Sequence, residues 1–156
     1  MPVRRAYARA LNRLLCMRSR NMGCDVVTEG TLAGLLGIRV ESFDAEGNGA
    51  VSMPLDTRHL NVLGNAHGGA IFTLADMAFA AGCRGAGILC VSAQCSISYI
   101  LPGTCGPLRA EAVPVRLGRT LAVYDIMVYD GDGRNIAKAV MTGYVLKKMD
   151  CGDGHE

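Results

Sequence analysis

From Gly68 to Gly82 the chain reads Gly-Gly-Ala-Ile-Phe-Thr-Leu-Ala-Asp-Met-Ala-Phe-Ala-Ala-Gly, a fifteen-residue run whose only polar side chains are Thr73 and Asp76. The run predicts a helix, since its Ala, Leu and Met residues favour that state. A helix apolar on nearly every side has to be wrapped by other structure, so the remainder of the chain must supply an enclosing surface. Thr73 and Asp76 are three residues apart and therefore share one face. Gly82 and Gly85 are expected to supply the stop and the following loop.

The rest of the sequence is written in strand periods. Leu36 to Phe43, the turn composition Asp44-Ala45-Glu46-Gly47-Asn48-Gly49, and Ala50 to Pro54 predict a β-hairpin. Leu55 to His67 holds no regular apolar period and is expected to be loop. Val91 to Leu101 alternates strictly, with Val91, Ala93, Cys95, Ile97, Tyr99 and Leu101 on one face and Ser92, Gln94, Ser96 and Ser98 on the other. Leu108 to Arg116, Thr120 to Tyr129 and Ile136 to Lys148 then predict three more strands in meander order. A hairpin, one buried helix and four long strands make an α+β arrangement in which a curved antiparallel sheet wraps a central helix.

Composition narrows the function classes. With 156 residues, 50% apolar and 19% charged, one folded domain is expected. A net charge of +2 and eight Tyr and Phe without Trp argue against a nucleic-acid partner. Residues 1–24 hold Arg4, Arg5, Arg9, Arg13, Arg18 and Arg20 and no acid. Such a start suits a transit peptide, a membrane-surface helix or a solvated or packed leading helix, and the last is the expectation for residues 1–30. Residues 31–149 then form the folded domain, and 150–156 a frayed tail. No run of 18 apolar residues occurs, so no stable membrane insertion is expected. Seven Cys with no C-x-x-C spacing specify neither a zinc site nor a disulfide framework. Reduced thiols and a cytoplasmic location are the expectation.

One stretch carries chemistry. Asn61 to Asp76 reads N-V-L-G-N-A-H-G-G-A-I-F-T-L-A-D. His67, Gly68 and Gly69 stand where loop becomes helix, so the free N–H groups of Gly68 and Gly69 are expected to face outward at the positive end of the helix dipole. Such a terminus holds an oxyanion or polarises a carbonyl, and glycine lets a substrate approach closely. Asp76 lies two turns further on, where a carboxylate is costly unless paired, solvated or catalytic. A packing role for the glycines and an interior hydrogen-bonding role for Asp76 fit the same residues. Gly82 to Gly87 imitates a phosphate loop but follows a helix, and Asp130 to Asn135 lacks the distal Glu of a calcium loop.

The pattern N-x-x-G-x-x-H-G-G followed by L-A-D resembles the hot-dog-fold acyl-CoA thioesterases of the phenylacetic-acid-degradation group. Asn61, Gly64, His67, Gly68, Gly69, Leu74 and Asp76 keep that family's spacing, the S-I-S-Y-I-L-P run looks like its third strand, and R-L-G-R-T resembles its turn. The resemblance covers about residues 32 to 148. It implies a homodimer or dimer of dimers with sites between protomers, an acyl-CoA substrate, and no metal or organic cofactor. It implies a Gly68 N–H that polarises the thioester carbonyl and an Asn61 that positions substrate or water. It further implies a His67 that shapes the loop, an Asp76 from the partner protomer that acts as nucleophile or general base, and a Ser92 that helps hold the water. Gly69 and Thr73 are expected along the substrate, and Arg119 near the phosphates of coenzyme A. A hydratase or dehydratase of acyl thioesters, using His67 as acid or base, and a non-catalytic acyl-CoA-binding module are the competing readings.

Overall fold

The computed structural model describes residues 30–149. The expectations for the Arg-rich segment and the tail fall on residues 1–29 and 150–156, outside the described residues. Thr31 opens a single helical turn, α1 (Leu32–Leu35), by accepting the Gly34 N–H on its hydroxyl. The hairpin follows as β1 (Arg39–Phe43) and β2 (Gly49–Met53), then a 3₁₀ turn at Thr57–His59 inside the segment expected to be loop. The long helix α2 (Gly68–Gly85) precedes β3 (Ile88–Tyr99), β4 (Leu108–Leu117), β5 (Leu121–Tyr129) and β6 (Asn135–Lys148). All pairings are antiparallel and the strand order is β1-β2-β4-β5-β6-β3. The expected meander is therefore present as β4-β5-β6, and β3 closes the sheet on its far edge beside β6.

Small side chains let the sheet curve around α2. Its inner face presents Ala110 and Ala112 from β4, Ala122 from β5, and Ala137 and Ala139 from β6, each at most 1% exposed. The volume comes from the helix instead, through Ile71, Leu74 and Phe79, and from Tyr124, Ile126 and Met141 between the alanines. Phe79 meets Tyr124 edge to face, with ring centres 5.2 Å apart and planes at 87°. Each large side chain sealed in this way contributes about 1.5–3 kcal/mol relative to exposure.

The described residues do not cover the helix completely. Ala70, Ile71, Leu74, Ala75, Ala78 and Phe79 are buried, but Gly69, Phe72 and Ala80 are exposed and Asp76 is half-buried. Phe72, Asp76 and Ala80 are spaced four apart, so they form one stripe along the flank of α2 that the described residues leave partly open.

Two sequence expectations are corrected here. Gly82 does not stop the helix, which runs three residues further. A Cβ on Gly82 would stand 2.5 Å from the Gly47 carbonyl oxygen and 2.8 Å from the Tyr124 ring, and one on Gly49 would stand 2.5 Å from the Gly82 nitrogen. Gly82 is thus the place where the β1–β2 hairpin crosses α2 at backbone contact. The stop is Gly87, whose φ of +65° is the left-handed conformation and whose N–H donates to the Arg84 carbonyl at 3.0 Å.

The second correction concerns β3. Ser92 pairs with Gly143 and Gln94 with Thr142, which leaves Ala93 without a partner and breaks the strict alternation. An extra residue reverses the face of everything before it. Ser92 therefore points to the helix side together with Cys95, Ile97 and Tyr99, instead of sharing the opposite face with Gln94. The strand also ends at Tyr99, short of Leu101.

Helix propensity and packing make opposite forecasts for Gly82→Ala. Propensity alone favours alanine by about 1 kcal/mol. Overpacking against the Gly47 carbonyl and the Tyr124 ring costs typically ~1–3 kcal/mol, and the carbonyl is backbone that cannot rotate aside. Gly82→Ala is expected to lower stability, read as a lower midpoint in chemical denaturation; a raised midpoint would show that the hairpin does not touch the helix there.

Candidate active site

The loop before α2 is held by two residues that use their side chains on backbone. His59 is fully buried. Its Nδ1 lies 3.0 Å from the Asp56 nitrogen and 3.1 Å from Asp56 Oδ1, and its Nε2 lies 2.9 Å from the Leu36 carbonyl oxygen, so the ring ties Asp56 to Leu36. The His59 carbonyl in turn accepts the His67 N–H at 2.7 Å. Nothing in the sequence singled out His59, because a buried scaffold histidine has no motif. Asn61 organises the next turn: its Oδ1 accepts the Leu63 N–H at 2.9 Å and the Asn65 N–H at 3.2 Å. Only the Nδ2 end of Asn61 is left for a substrate or water. Gly64, at φ +77°, closes this turn.

His67 is the N-cap of α2. It sits at φ −67° and ψ 135°, and its Nδ1 accepts the Gly69 N–H at 2.9 Å. The His67 carbonyl accepts the N–H groups of Ala70 and Ile71 at 2.9 and 3.1 Å. Gly69, expected to offer a free N–H, is therefore committed to its own cap. Of the first-turn donors, the Gly68 N–H alone has no partner among the described residues. A helix start with one uncommitted N–H at the positive dipole end is a preformed seat for developing negative charge. The capping role also occupies Nδ1 of His67, which does not favour the hydratase reading.

Two turns along the helix, Asp76 Oδ1 accepts the Ser92 hydroxyl at 2.6 Å. The bulge at Ala93 is what brings these two together. The other carboxylate oxygen, Oδ2, has no hydrogen-bond partner among the described residues, and Asp76 is only half-buried. Cys95 lies on the same side of β3, where burial and then the Asp76 charge push its thiol above the ordinary value. Cys83 of α2 faces Cys90 of β3, and the Cys90 sulfur together with burial holds the Cys83 thiol protonated.

The remaining expected residues lie less close to this chemistry. The Thr73 hydroxyl donates to the Gly69 carbonyl at 2.9 Å, one turn back along its own helix. Arg119 is exposed in the turn between β4 and β5, and no hydrogen bond or ion pair ties it to Asp76, Ser92 or Gly68. Tyr99 was placed on its strand but not in the site by the sequence. Its hydroxyl donates to the Gly68 carbonyl at 3.0 Å. Among the described residues no group of three or more His, Cys, Asp or Glu could hold a metal ion, and no helix is long and apolar enough to cross a membrane.

A six-stranded antiparallel sheet curved around one long helix, with a donor at the helix start and a carboxylate on its flank, defines a hot-dog fold with an acyl-transfer type of site. The model of the thioesterase superfamily matches residues 63–137. The acyl-coenzyme A thioesterase PaaI of Escherichia coli (strain K12) is 36% identical over 106 residues, spanning 67% of this chain and 75% of that protein. The solved structure of the E. coli PaaI protein superposes with a TM-score of 0.71 at 29% identity, covering 90% of this chain and 95% of that one. The structure of smu.793 from Streptococcus mutans UA159 bound to acetyl CoA gives 0.70 at 30% identity, covering 83% and 99%. The chain belongs to the thioesterase superfamily, and it is a thioester hydrolase of the PaaI-like kind that the N-x-x-G-x-x-H-G-G pattern implies.

The cap can be tested apart from catalysis. His67→Ala removes the acceptor for the Gly69 N–H and is expected to cost about 1 kcal/mol of stability, whereas His67→Asn, which keeps an N-cap acceptor, is expected to lose less. Urea denaturation of the two variants checks this, and equal stability of His67→Ala and the parent would remove the capping role.

Proposed function

We propose that the protein hydrolyses an acyl-CoA thioester to the free acid and coenzyme A, with sites shared between two chains. The observation that carries this reading is the pair of uncommitted groups on α2: one free N–H at Gly68, and a carboxylate oxygen at Asp76 beside the Ser92 hydroxyl. The Gly68 N–H stabilises the oxyanion that forms as the thioester carbonyl is attacked. Ser92 donates to Oδ1 and keeps acceptor capacity beside Oδ2, so one water can donate to both. Asp76 then takes a proton from that water as general base. The C–S bond breaks as the tetrahedral intermediate collapses, and the proton that Asp76 took from the water passes to the departing thiolate, giving the acid and coenzyme A as the thiol. Asn61, through Nδ2, orients substrate or water. Gly69 and Thr73 border the approach along the helix, and the exposed Arg119 is the candidate partner for a phosphate of coenzyme A.

Distance supports the two-chain arrangement. Gly68 and Asp76 are eight residues apart, or about 12 Å along one helix. Only the carbonyl and the attacking water have to come within about 3–3.5 Å of each other, but a donor and a base that far apart along one helix are poorly placed to serve one carbonyl. A second copy also supplies what one chain lacks, a cover for the stripe Phe72-Asp76-Ala80 and a neighbour for the free edge of β3. The bound acetyl CoA of the S. mutans protein supports coenzyme A as the handle of the substrate. The described cysteines Cys83, Cys90, Cys95 and Cys105 are all free thiols, which fits a reducing cytoplasm.

Release of free coenzyme A from a panel of aryl, aryl-acetyl and medium-chain acyl-CoAs tests the activity. Asp76→Asn is expected to lower kcat by about a hundredfold or more, and a variant with near-parental kcat would end the assignment. Gly68→Pro deletes the donor, and the extended ψ of 135° at His67 already suits a residue before proline. It is expected to remove roughly 3 kcal/mol of transition-state stabilisation.

The same two variants test the shared site. When Asp76→Asn and Gly68→Pro chains are mixed and allowed to reassort, each heterodimer regains one intact site, so recovery of up to about a quarter of parental activity is expected. No recovery after demonstrated exchange would place both groups of a site on one chain.

A further inference from the structure

We infer that Tyr99 is a positioning residue of this enzyme: its hydroxyl, bonded to the Gly68 carbonyl, holds the first turn of α2 so that the Gly68 N–H stays aimed at the thioester oxygen. The inference rests on the proposed role of that N–H.

The first turn needs such a hold. Gly68 and Gly69 are the poorest helix formers after proline, because glycine gives up the most backbone freedom on ordering. A helix that begins on two glycines frays unless something outside it fixes the turn. The structure supplies two fixings on one peptide group. The Gly69 N–H donates to His67 Nδ1 at 2.9 Å, and the carbonyl of the same peptide, on Gly68, accepts the Tyr99 hydroxyl at 3.0 Å. The preceding peptide is held by the His67 carbonyl, which takes the N–H groups of Ala70 and Ile71. With both peptides flanking the Gly68 Cα restrained, the direction of the Gly68 N–H is set before a substrate arrives, which is the preorganisation that makes such a donor effective.

Tyr99 also fits the glycine by shape. A Cβ on Gly68 would stand 3.2 Å from the Tyr99 ring carbon Cζ and from its hydroxyl oxygen, so the ring lies directly on the glycine with little room for a side chain between them. The strand end that carries it is secured, since Tyr99 pairs with Ala137 and the Ile100 N–H donates to the Ile136 carbonyl at 2.8 Å. The phenol is a dependable donor: burial, and then the neighbouring Cys95, raise it above its ordinary value. It is protonated throughout the neutral range.

Tyr99→Phe keeps the ring over Gly68 and deletes only the hydroxyl. With the best acyl-CoA of the panel, kcat is expected to fall about five- to tenfold, the scale of one lost hydrogen bond, with KM within about twofold of the parent. The shape of the kcat pH profile is expected to be unchanged. Tyr99→Leu, which removes the ring as well, is expected to lose at least as much kcat. Parental kcat in a folded Tyr99→Phe dimer overturns the inference. So does a loss that falls in KM alone, which would make Tyr99 a substrate contact, or a shifted pH profile, which would make it a proton donor. Gly68→Pro is assayed alongside: if the folded variant stays fully active, the proposed role of the Gly68 N–H fails, whereas an impaired Gly68→Pro beside a fully active Tyr99→Phe removes the positioning role alone.

Discussion

A helix that cannot be left in water organises this protein. α2 is apolar on all but a narrow stripe, and the sheet answers it with alanine at Ala110, Ala112, Ala122, Ala137 and Ala139. Five methyl groups in place of larger side chains bring the strands close enough to curve around the helix, and Tyr124, Ile126 and Met141 fill what remains. At the far end the approach is closer still, since Gly49 and Gly82 allow backbone to meet backbone. Close packing of this kind has no slack, so the position of every residue on α2 relative to the sheet is fixed. The chemistry sits on that fixed frame: the helix start presents one N–H, and the flank presents one carboxylate.

The site also divides its polar groups between structure and reaction. His67 Nδ1, the Gly69 N–H, Asn61 Oδ1 and the Thr73 hydroxyl all bond to groups of their own chain. These bonds consume most of the hydrogen-bonding capacity in the segment from Asn61 to Asp76. Among the described residues, the Gly68 N–H and Asp76 Oδ2 on the helix, with Asn61 Nδ2 and His67 Nε2 before it, are left without partners. A buried or half-buried polar group without a partner is costly, and a donor and an acceptor left open at the surface of an otherwise satisfied segment are where a substrate and a water find their partners.

Much of this was legible in the sequence. The fifteen-residue apolar run dictated a wrapped helix, strand periods gave the sheet, and the N-x-x-G-x-x-H-G-G spacing marked the helix start. What the sequence hid was a matter of register and of long-range approach. Strict alternation from Val91 put Ser92 on the wrong face, because a bulge at Ala93 leaves no mark in a run of small residues. Gly82 read as a stop because local rules cannot see a hairpin arriving from 35 residues earlier at Gly47. Both free N–H groups at the helix start looked equivalent until the His67 ring chose one of them. Tyr99 was visible only as a strand residue, since its partner Gly68 lies 31 positions away.

β3 ties these parts together. Among the described residues it is an edge strand, bonded to β6 on one side of its backbone and to no strand on the other. The side chains that β3 turns toward α2 reach both functional ends of the helix, with Ser92 at Asp76 and Tyr99 at Gly68. An edge of twelve residues is long for a strand left unpaired. A chain that docks there would press on the strand that orients the carboxylate and the donor alike, and would lie beside the uncovered stripe of Phe72, Asp76 and Ala80. In the proposed two-chain enzyme, pairing at the β3 edge would stiffen the strand whose Ser92 and Tyr99 bond Asp76 and Gly68, and would so couple assembly to catalysis through one element.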